Sequence, residues 1–141
     1  MENDFLMLGR QVLATQPFSV LLGAEITAMA PGEAVIELPI KAEFLQQFGV
    51  VHGGVISYLA DNALTFAGGS RLGLSVLTSE YKINYVKAAR GERLIARATA
   101  IAAGARQAVC RCDIVAVAAG QEYLCATAQG TIVKVEGPAG A

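Results

Sequence analysis

The sequence predicts an α+β fold in which an antiparallel sheet of about six strands wraps around one long buried helix. Residues 53–69 are apolar on nearly every side at helical spacing, which is typical of a helix buried in a core. Strand-like runs fill most of residues 19–40 and 76–135, with glycine and proline turns between them. The length suits a single domain over residues 1–141, large enough to bury a real core.

The N-terminal segment is expected to be helical over residues 4–15, because its apolar residues recur at a loose helical spacing. Pro17 is expected to end this helix. Two strands are expected within residues 19–40, and the Pro-Gly pair inside residues 30–33 predicts the hairpin turn that joins them.

The second half of the chain predicts a loop over residues 41–52, the long helix, and then strands after Gly73. Turn residues separate the successive runs, which favours a meander in which neighbouring strands follow chain order. Residues 137–141 are expected to form a frayed tail. The predicted strands cover residues 76–86, 93–103, 107–118 and 122–135.

Composition excludes several classes of protein. The net charge of −1 and a pI near 5.8 provide no basic face for nucleic acid. Apolar residues make up 54% of the chain and the mean hydropathy is +0.47. No run reaches the roughly 18 to 20 apolar residues that a membrane-spanning helix needs, so no membrane association is expected. The excess apolar surface is therefore predicted to form a subunit interface.

The N-terminus, MENDFLMLGR, is acidic before it is apolar, unlike a secretory signal. The three cysteines lack the spacing of a zinc site and are expected to be small buried residues in a reducing compartment. A cytoplasmic location follows as an expectation. With His52 as the single histidine, a multi-histidine metal centre is not available, and acid-base chemistry would most naturally fall to a carboxylate.

Asp61 is the anomaly of the long apolar helix. A buried carboxylate costs several kcal/mol unless it is partnered. Ser57, Asp61 and Thr65 follow one another at four-residue spacing, so they form one polar stripe on the helix. Asp61 is either a functional carboxylate or a structural one satisfied by Asn62, Thr65 or a backbone amide.

The glycine pair Gly53-Gly54 lies where the loop becomes the helix. Free amides at a helix N-terminus suit an oxygen that gains negative charge during a reaction. Gly53 and Asp61 are eight residues apart, or about 12 Å along a helix. Both must approach within about 3 Å of one reacting centre, which a single helix does not allow. The spacing predicts a dimer in which Gly53 of one subunit meets Asp61 of the other.

The stretch QQFGVVHGGVISYLADNA over residues 46–63 resembles the signature of hot-dog acyl-CoA thioesterases. It is most similar to the PaaI-like and 4-hydroxybenzoyl-CoA thioesterase group. The resemblance extends to TSEYKINY at residues 78–85 and AARGER at residues 88–93, and covers most of residues 18–133. It implies hydrolysis of an acyl-CoA without metal or organic cofactor. It also implies dimers with a continuous sheet, and usually a homotetramer built as a dimer of dimers.

The resemblance assigns roles to the residues of this motif. Asp61 would be the nucleophile or the general base that directs water. The Gly53 amide would polarise the thioester carbonyl, and His52 would shape the loop with its side chain near that carbonyl. Gln46 stands where many PaaI-like proteins have asparagine, and a glutamine is found there in the 4-hydroxybenzoyl-CoA group. It would orient the carbonyl or the water, unless it is only a solvated loop residue.

Further residues are candidates for the same site. Thr65 and Thr78 are candidates to hold the attacking water, although Thr65 could instead bond to its own helix backbone. Gly54 and Asn62 are assigned to substrate binding. The cations that could contact the phosphates of CoA, or be ordinary surface charge, are Lys82, Lys87, Arg90 and Arg106.

Two other functions stay open. One is a hot-dog dehydratase acting on hydroxyacyl thioesters, which pairs a histidine with a carboxylate. The other is a non-catalytic acyl-CoA-binding module, in which the carboxylate is usually lost. The sequence does not distinguish aromatic, short-chain and medium-chain acyl groups.

Overall fold

The structure is a computed structural model that describes residues 3–137. The predicted fold class is confirmed: a long helix lies against a six-stranded antiparallel sheet. Apart from Gly137, the predicted tail at residues 137–141 lies outside the described residues. The helices are α1 (Asp4–Ala14), α2 (Pro17–Leu22) and α3 (Gly53–Leu72). The strands are β1 (Glu25–Ala30), β2 (Glu33–Pro39), β3 (Val76–Tyr85), β4 (Arg93–Ala103), β5 (Gln107–Ala118) and β6 (Gln121–Lys134).

Helix α2 corrects the prediction that strand structure begins at Ser19. Pro17 ends α1 as expected, but it also begins α2, since the fixed φ of proline suits the first position of a helix. Gly23 ends α2 with a φ of 84°, a conformation that glycine adopts without strain. The first strand therefore begins only at Glu25.

The strand order corrects the predicted meander. The sheet runs β1-β2-β4-β5-β6-β3, so among the four strands after α3 only β4, β5 and β6 follow chain order as neighbours. β3 pairs with β6 at one edge of the sheet, and β4 returns to pair with β2. Turn residues between β3 and β4 indicate that the chain reverses, but they do not reveal that the connection crosses to the other side of the sheet.

α3 packs across the inner face of the sheet and carries the centre of the core. Small residues allow this close approach: a Cβ on Gly68 would stand 2.8 Å from Cβ of Ile132 on β6. None of the helices described here is both long and apolar enough to cross a membrane. The buried side of α3 includes Ile56, Leu59, Ala60, Ala63, Leu64, Phe66 and Ala67.

β3 is an edge strand, and its position determines the surroundings of the polar stripe on α3. Ser57 and Asp61 both make hydrogen bonds to side chains of β3. The outer edge of β3 has no partner strand within residues 3–137. The stripe therefore lies beside an open sheet edge.

The pair Gly68 and Gly69 provides a test of the contact between α3 and β6. Alanine at either position favours the helix by about 1 kcal/mol. At Gly68, however, the new methyl would overlap Ile132, and overpacking costs roughly 1–3 kcal/mol. At Gly69 the nearest atom is Val76 Cγ2 at 3.4 Å, which is tolerable. We expect chemical denaturation to show Gly68→Ala destabilised and Gly69→Ala equal to or more stable than the wild type. Equal effects of the two substitutions would contradict the close contact.

Candidate active site

The N-terminus of α3 presents one free amide. His52 caps the helix, because its Nδ1 accepts a hydrogen bond of 2.8 Å from the Gly54 amide. Nδ1 is thus an acceptor, which leaves the ring proton of the neutral imidazole on Nε2. No acceptor for the Gly53 amide exists among the described residues. Gly53 and not Gly54 is therefore the amide available to a ligand, at the positive end of the helix dipole.

Tyr85 is a residue of this site that the sequence did not single out. Its hydroxyl donates to the Gly53 carbonyl at 3.0 Å. Its ring lies 3.3–3.4 Å from the point where a Cβ on Gly53 would stand, so any side chain at Gly53 would press on the ring. The glycine pair indicates a close approach, but the partner at the far end of β3 becomes visible only once the strand is placed.

Gln46 lies in the loop before α3, and one end of its side-chain amide is already hydrogen-bonded. Its Oε1 accepts from the Phe48 amide, so its NH₂ group is the end left to donate. The loop closes on itself through a bond of 2.8 Å from the Gln46 amide to the Val50 carbonyl. Gln46, Gly53, Tyr85 and Lys87 line an open cleft of about 320 Å³ at this end of the helix.

Asp61 is held at one of its two carboxylate oxygens. The Thr78 hydroxyl donates to Oδ1 at 2.6 Å. Oδ2 has no partner among the described residues, and no buried side-chain oxygen there lacks one, so Oδ2 is open to solvent. Thr78 and Thr65 both contact Asp61 directly, and their predicted roles in holding the attacking water stay predictions. The carboxylate is thus oriented on one side and free on the other.

Thr65 supports the same arrangement from within the helix. Its hydroxyl donates to the Asp61 carbonyl at 2.8 Å, which is the intrahelical bond considered as the simpler alternative. It also lies 3.0 Å from the Thr78 hydroxyl. Each threonine hydroxyl has one proton, and both protons go to Asp61, so Thr65 donates to Thr78 only in place of its bond to the Asp61 carbonyl. One turn before Asp61, Ser57 bonds to the Tyr81 hydroxyl at 2.5 Å.

Asn62 points away from this stripe. Its amide nitrogen donates to Gln16 at 3.1 Å and to the Tyr58 hydroxyl at 3.1 Å. Ser19, which is 1% exposed, completes this cluster with bonds of 2.6 Å to Gln16 and from Tyr58. Burial raises the pKa of the Tyr58 hydroxyl, which keeps it protonated as a donor. The structure therefore gives Asn62 a role in fastening α2 to α3, and does not bring it to the cleft.

The cations proposed to bind CoA do not lie together, and two of them lie near opposite ends of helix α3. Lys82 is exposed on β3, and Arg90 is exposed near the N-terminus of α3, where the Val51 amide bonds to the Ala89 carbonyl at 3.0 Å. Arg106 is exposed in the β4–β5 turn, in a groove that also contains Leu72 at the other end of α3. A helix of 20 residues is about 30 Å long. Arg90 and Arg106 of one chain therefore do not serve the same phosphate.

Gly53 and Asp61 belong to one unbroken helix. Their separation along it is about 12 Å, as the spacing predicts. The free amide and the free carboxylate oxygen therefore do not converge within one chain.

Comparison with known proteins identifies the family. Residues 48–122 match the family described as the thioesterase superfamily. The chain belongs to the thioesterase superfamily. It is also 38% identical over 116 residues to a protein of Archaeoglobus fulgidus assigned as an esterase, covering 82% of this chain and 73% of that protein. This confirms the resemblance noted in the sequence, and it supports thioester hydrolysis as the general chemistry.

Solved structures of the superfamily share the whole architecture. A thioesterase family protein of Silicibacter pomeroyi superposes with a TM-score of 0.90 at 31% identity, covering 94% of this chain and 99% of that one. The E. coli PaaI protein, from the phenylacetic acid degradation operon, superposes with a TM-score of 0.81 at 25% identity, covering 94% of this chain and 98% of that one. A thioesterase of Haemophilus influenzae superposes with a TM-score of 0.80 at 26% identity, covering 95% of this chain and 92% of that one. The long helix and the wrapped sheet are thus features of the hot-dog fold.

The cysteines do not offer this thioesterase a nucleophile. Burial raises the pKa of the Cys112 thiol to about 12 and the pKa values of Cys110 and Cys125 to about 11. All three are buried and are therefore protonated at neutral pH. Within residues 3–137 no group of three or more histidine, cysteine, aspartate or glutamate side chains is placed to hold a metal ion.

The hydrogen bond from Thr78 to Asp61 gives a prediction for thioester turnover. Thr78→Val keeps a side chain of similar shape and removes the donor. We expect kcat for thiol release to fall by about 10²-fold, because that is the cost of misplacing a reacting group by about 1 Å. Thr127→Val is the matched control, since Thr127 makes the equivalent bond of 2.8 Å to Asp113. If both variants lost activity equally, or neither did, the orienting role of Thr78 would be wrong.

Proposed function

We propose that this protein hydrolyses acyl-CoA thioesters to a free acid and CoA, with Asp61 as the reacting carboxylate. The Gly53 amide of the partner subunit would stabilise the developing oxyanion. The observation that carries the proposal is the state of Asp61: Thr78 fixes one oxygen, and the other is open to solvent on a helix that lies beside the edge strand β3. A carboxylate that is oriented on one side and accessible on the other is the arrangement that a nucleophile or general base needs.

The open edge of β3 supports the dimer that this mechanism requires. An unpaired edge strand of ten residues is a ready site for pairing with another chain. Asp61 contacts Thr78 near the start of β3, and Gly53 contacts Tyr85 at its end. If two β3 strands paired antiparallel about a two-fold axis near their middle, the start of one would lie opposite the end of the other. That pairing would bring Asp61 toward Gly53 of the partner subunit, twice per dimer.

The chemistry can follow either of two routes. In the first, Asp61 Oδ2 attacks the thioester carbonyl carbon, the carbon–sulfur bond breaks to release CoA, and water then hydrolyses the mixed anhydride. In the second, Asp61 takes a proton from a water molecule that attacks the same carbon directly; the carbon–sulfur bond then breaks, and the departing CoA thiolate takes up that proton. In both routes the carbonyl oxygen becomes negative. The Gly53 amide and the NH₂ group of Gln46 are the donors proposed to receive it.

The cleft beside Gly53 also suggests where CoA lies. Lys87 lines this cleft, with its ammonium 4.8 Å from the centre of the Tyr123 ring, and Arg90 is close by in the chain. We assign these two cations to the CoA phosphates in preference to Arg106. The homodimer is the minimal active unit under this proposal, and a dimer of dimers is the proposed full assembly. A cytoplasmic location is proposed on the same basis, as the compartment in which CoA thioesters are used.

Substitution of Asp61 tests the proposal. In a thiol-release screen over phenylacetyl-, hydroxybenzoyl- and straight-chain acyl-CoAs, we expect Asp61→Asn to lower kcat by roughly 10²- to 10⁴-fold, the usual contribution of a positioned acid-base group. Asp113→Asn, which changes an exposed aspartate on β5, should leave kcat unchanged.

Three results would contradict the proposal. Unchanged turnover in Asp61→Asn, with the dimer intact in sedimentation, would remove Asp61 from the mechanism. Binding of acyl-CoA in calorimetry without thiol release would indicate a binding module. Absorbance of an enoyl thioester formed from a hydroxyacyl substrate would indicate a dehydratase.

A further inference from the structure

The loop between β3 and β4, residues 86–92, carries two exposed cations, Lys87 and Arg90. Its first half, residues 86–89, lines the cleft that also contains Gly53. A cation on a long side chain binds a phosphate well only where its backbone is held in place, because ordering a free loop on binding costs conformational entropy. What holds this loop therefore bears on how well it binds an anion.

The hydroxyl of Tyr123, a residue of β6, lies at the centre of this loop. It accepts a hydrogen bond of 2.7 Å from the Arg90 amide and donates to the Ala88 carbonyl at 3.0 Å. The Arg90 carbonyl, at 3.2 Å, is a second acceptor for the same proton. One side-chain oxygen thus holds backbone groups on both sides of Ala89, which is itself 1% exposed.

The ring of Tyr123 contacts the other cation. The Lys87 ammonium lies 4.8 Å from the centre of the ring. A cation within about 6 Å of an aromatic ring centre is attracted by the charge distribution of the ring. The hydroxyl therefore holds the backbone of Arg90, and the ring holds the side chain of Lys87.

The two ends of the loop are held by other bonds. The Val86 amide donates to the Cys125 carbonyl at 2.9 Å, and the Glu92 amide donates to the Val117 carbonyl at 2.8 Å. The Glu92 carboxylate, the single acidic group of the loop, accepts from the Ala119 amide at 3.1 Å. Removal of the hydroxyl should therefore loosen the middle of the loop and leave its ends in place.

We propose that Tyr123 is a positioning residue: it holds Lys87 and Arg90 where the phosphates of CoA lie. By this means the enzyme binds thioesters of CoA in preference to thioesters of pantetheine, which has no phosphate. The inference rests on the proposed function, which assigns these two cations to CoA. It goes beyond that function by identifying the residue that acts through them and the class of thiol carrier that it favours.

Tyr123→Phe removes the hydroxyl and keeps the ring beside Lys87. Binding is measured by calorimetry for a non-hydrolysable S-alkyl-CoA thioether and for the S-alkyl-pantetheine thioether with the same alkyl group. We expect Kd for the CoA compound to rise by roughly three- to tenfold, the range for one lost hydrogen bond, and Kd for the pantetheine compound to stay unchanged. Added salt should also weaken CoA binding less in the variant than in the wild type, because fewer cations contact phosphate.

Thr127→Val is the matched control. It removes a hydroxyl from the same strand, but that hydroxyl bonds to Asp113 at 2.8 Å and not to the loop. Both Kd values should equal those of the wild type.

Two further variants test how the effect is transmitted. In a Lys87→Ala/Arg90→Ala background, Tyr123→Phe should cause no further rise in Kd, because it acts only through those cations. Gly91→Ala displaces the same loop by another route, since a Cβ at this φ of 124° would overlap the Val117 carbonyl oxygen. It should weaken binding of the CoA compound more than binding of the pantetheine compound, and it decides the question if Tyr123→Phe does not fold.

The outcomes separate this inference from the proposed function. Equal changes in Kd for the two compounds, or no change for the CoA compound, would overturn the role of Tyr123 even if acyl-CoA thioesters are hydrolysed. A further rise in the background that lacks both cations would overturn it as well. The predicted loss of CoA binding in a protein that releases no thiol from thioesters would support the role of Tyr123 and refute hydrolysis.

Discussion

The rigid length of α3 is the constraint on which the account of this protein depends. One helix from Gly53 to Leu72 carries both the free amide and the oriented carboxylate, and it holds them about 12 Å apart. Neither group is paired with a described residue: the Gly53 amide donates to none of them, and Oδ2 of Asp61 is open to solvent. Under the proposed mechanism, the amide and the carboxylate meet in one site only when helix α3 of a second subunit lies antiparallel beside the first. The proposed mechanism therefore makes catalysis depend on the pairing of two subunits.

The hydrogen bond between Thr78 and Asp61 connects that helix to the sheet edge. It orients the carboxylate, and it also ties the polar stripe of α3 to β3, an edge strand whose outer side has no partner strand within residues 3–137. Tyr85 does the same at the other end of β3 by contacting Gly53. The edge strand thus touches both half-sites, which means that any partner pairing with β3 would lie next to both of them.

Much of this could be predicted from the sequence, because the informative signals were local. The apolar surround of Asp61, its spacing from Thr65, and the glycine pair before the helix all depend on near neighbours in the chain. The sequence did not reveal α2, because Pro17 fits the start of a helix as well as the end of one. It also did not show that β3 lies beside β6, or that the Thr78 hydroxyl donates to the Asp61 carboxylate. Those facts depend on which strands meet across long connections, and turn residues carry no information about that. The predicted role of Asn62 in substrate binding has a related basis. Asn62 follows Asp61 in the sequence, but its side chain bonds to Gln16 beside α2 and not to the groups around Asp61.

Mixed dimers test the central claim, that each site joins Asp61 of one subunit to Gly53 of the other. Gly53→Pro removes the amide proton and suits the first helical position, and the φ of −59° and ψ of 134° at His52 are compatible with a following proline. Gly53→Ala, which presses on Tyr85 in the same way but keeps the N–H, is the matched control and should stay active. Homodimers of Asp61→Asn and of Gly53→Pro should each be nearly inactive. A doubly tagged heterodimer of the two contains one site with both native groups, so it should recover about half of the wild-type kcat. A heterodimer as inactive as its parents would place both groups of each site in the same chain and contradict the account.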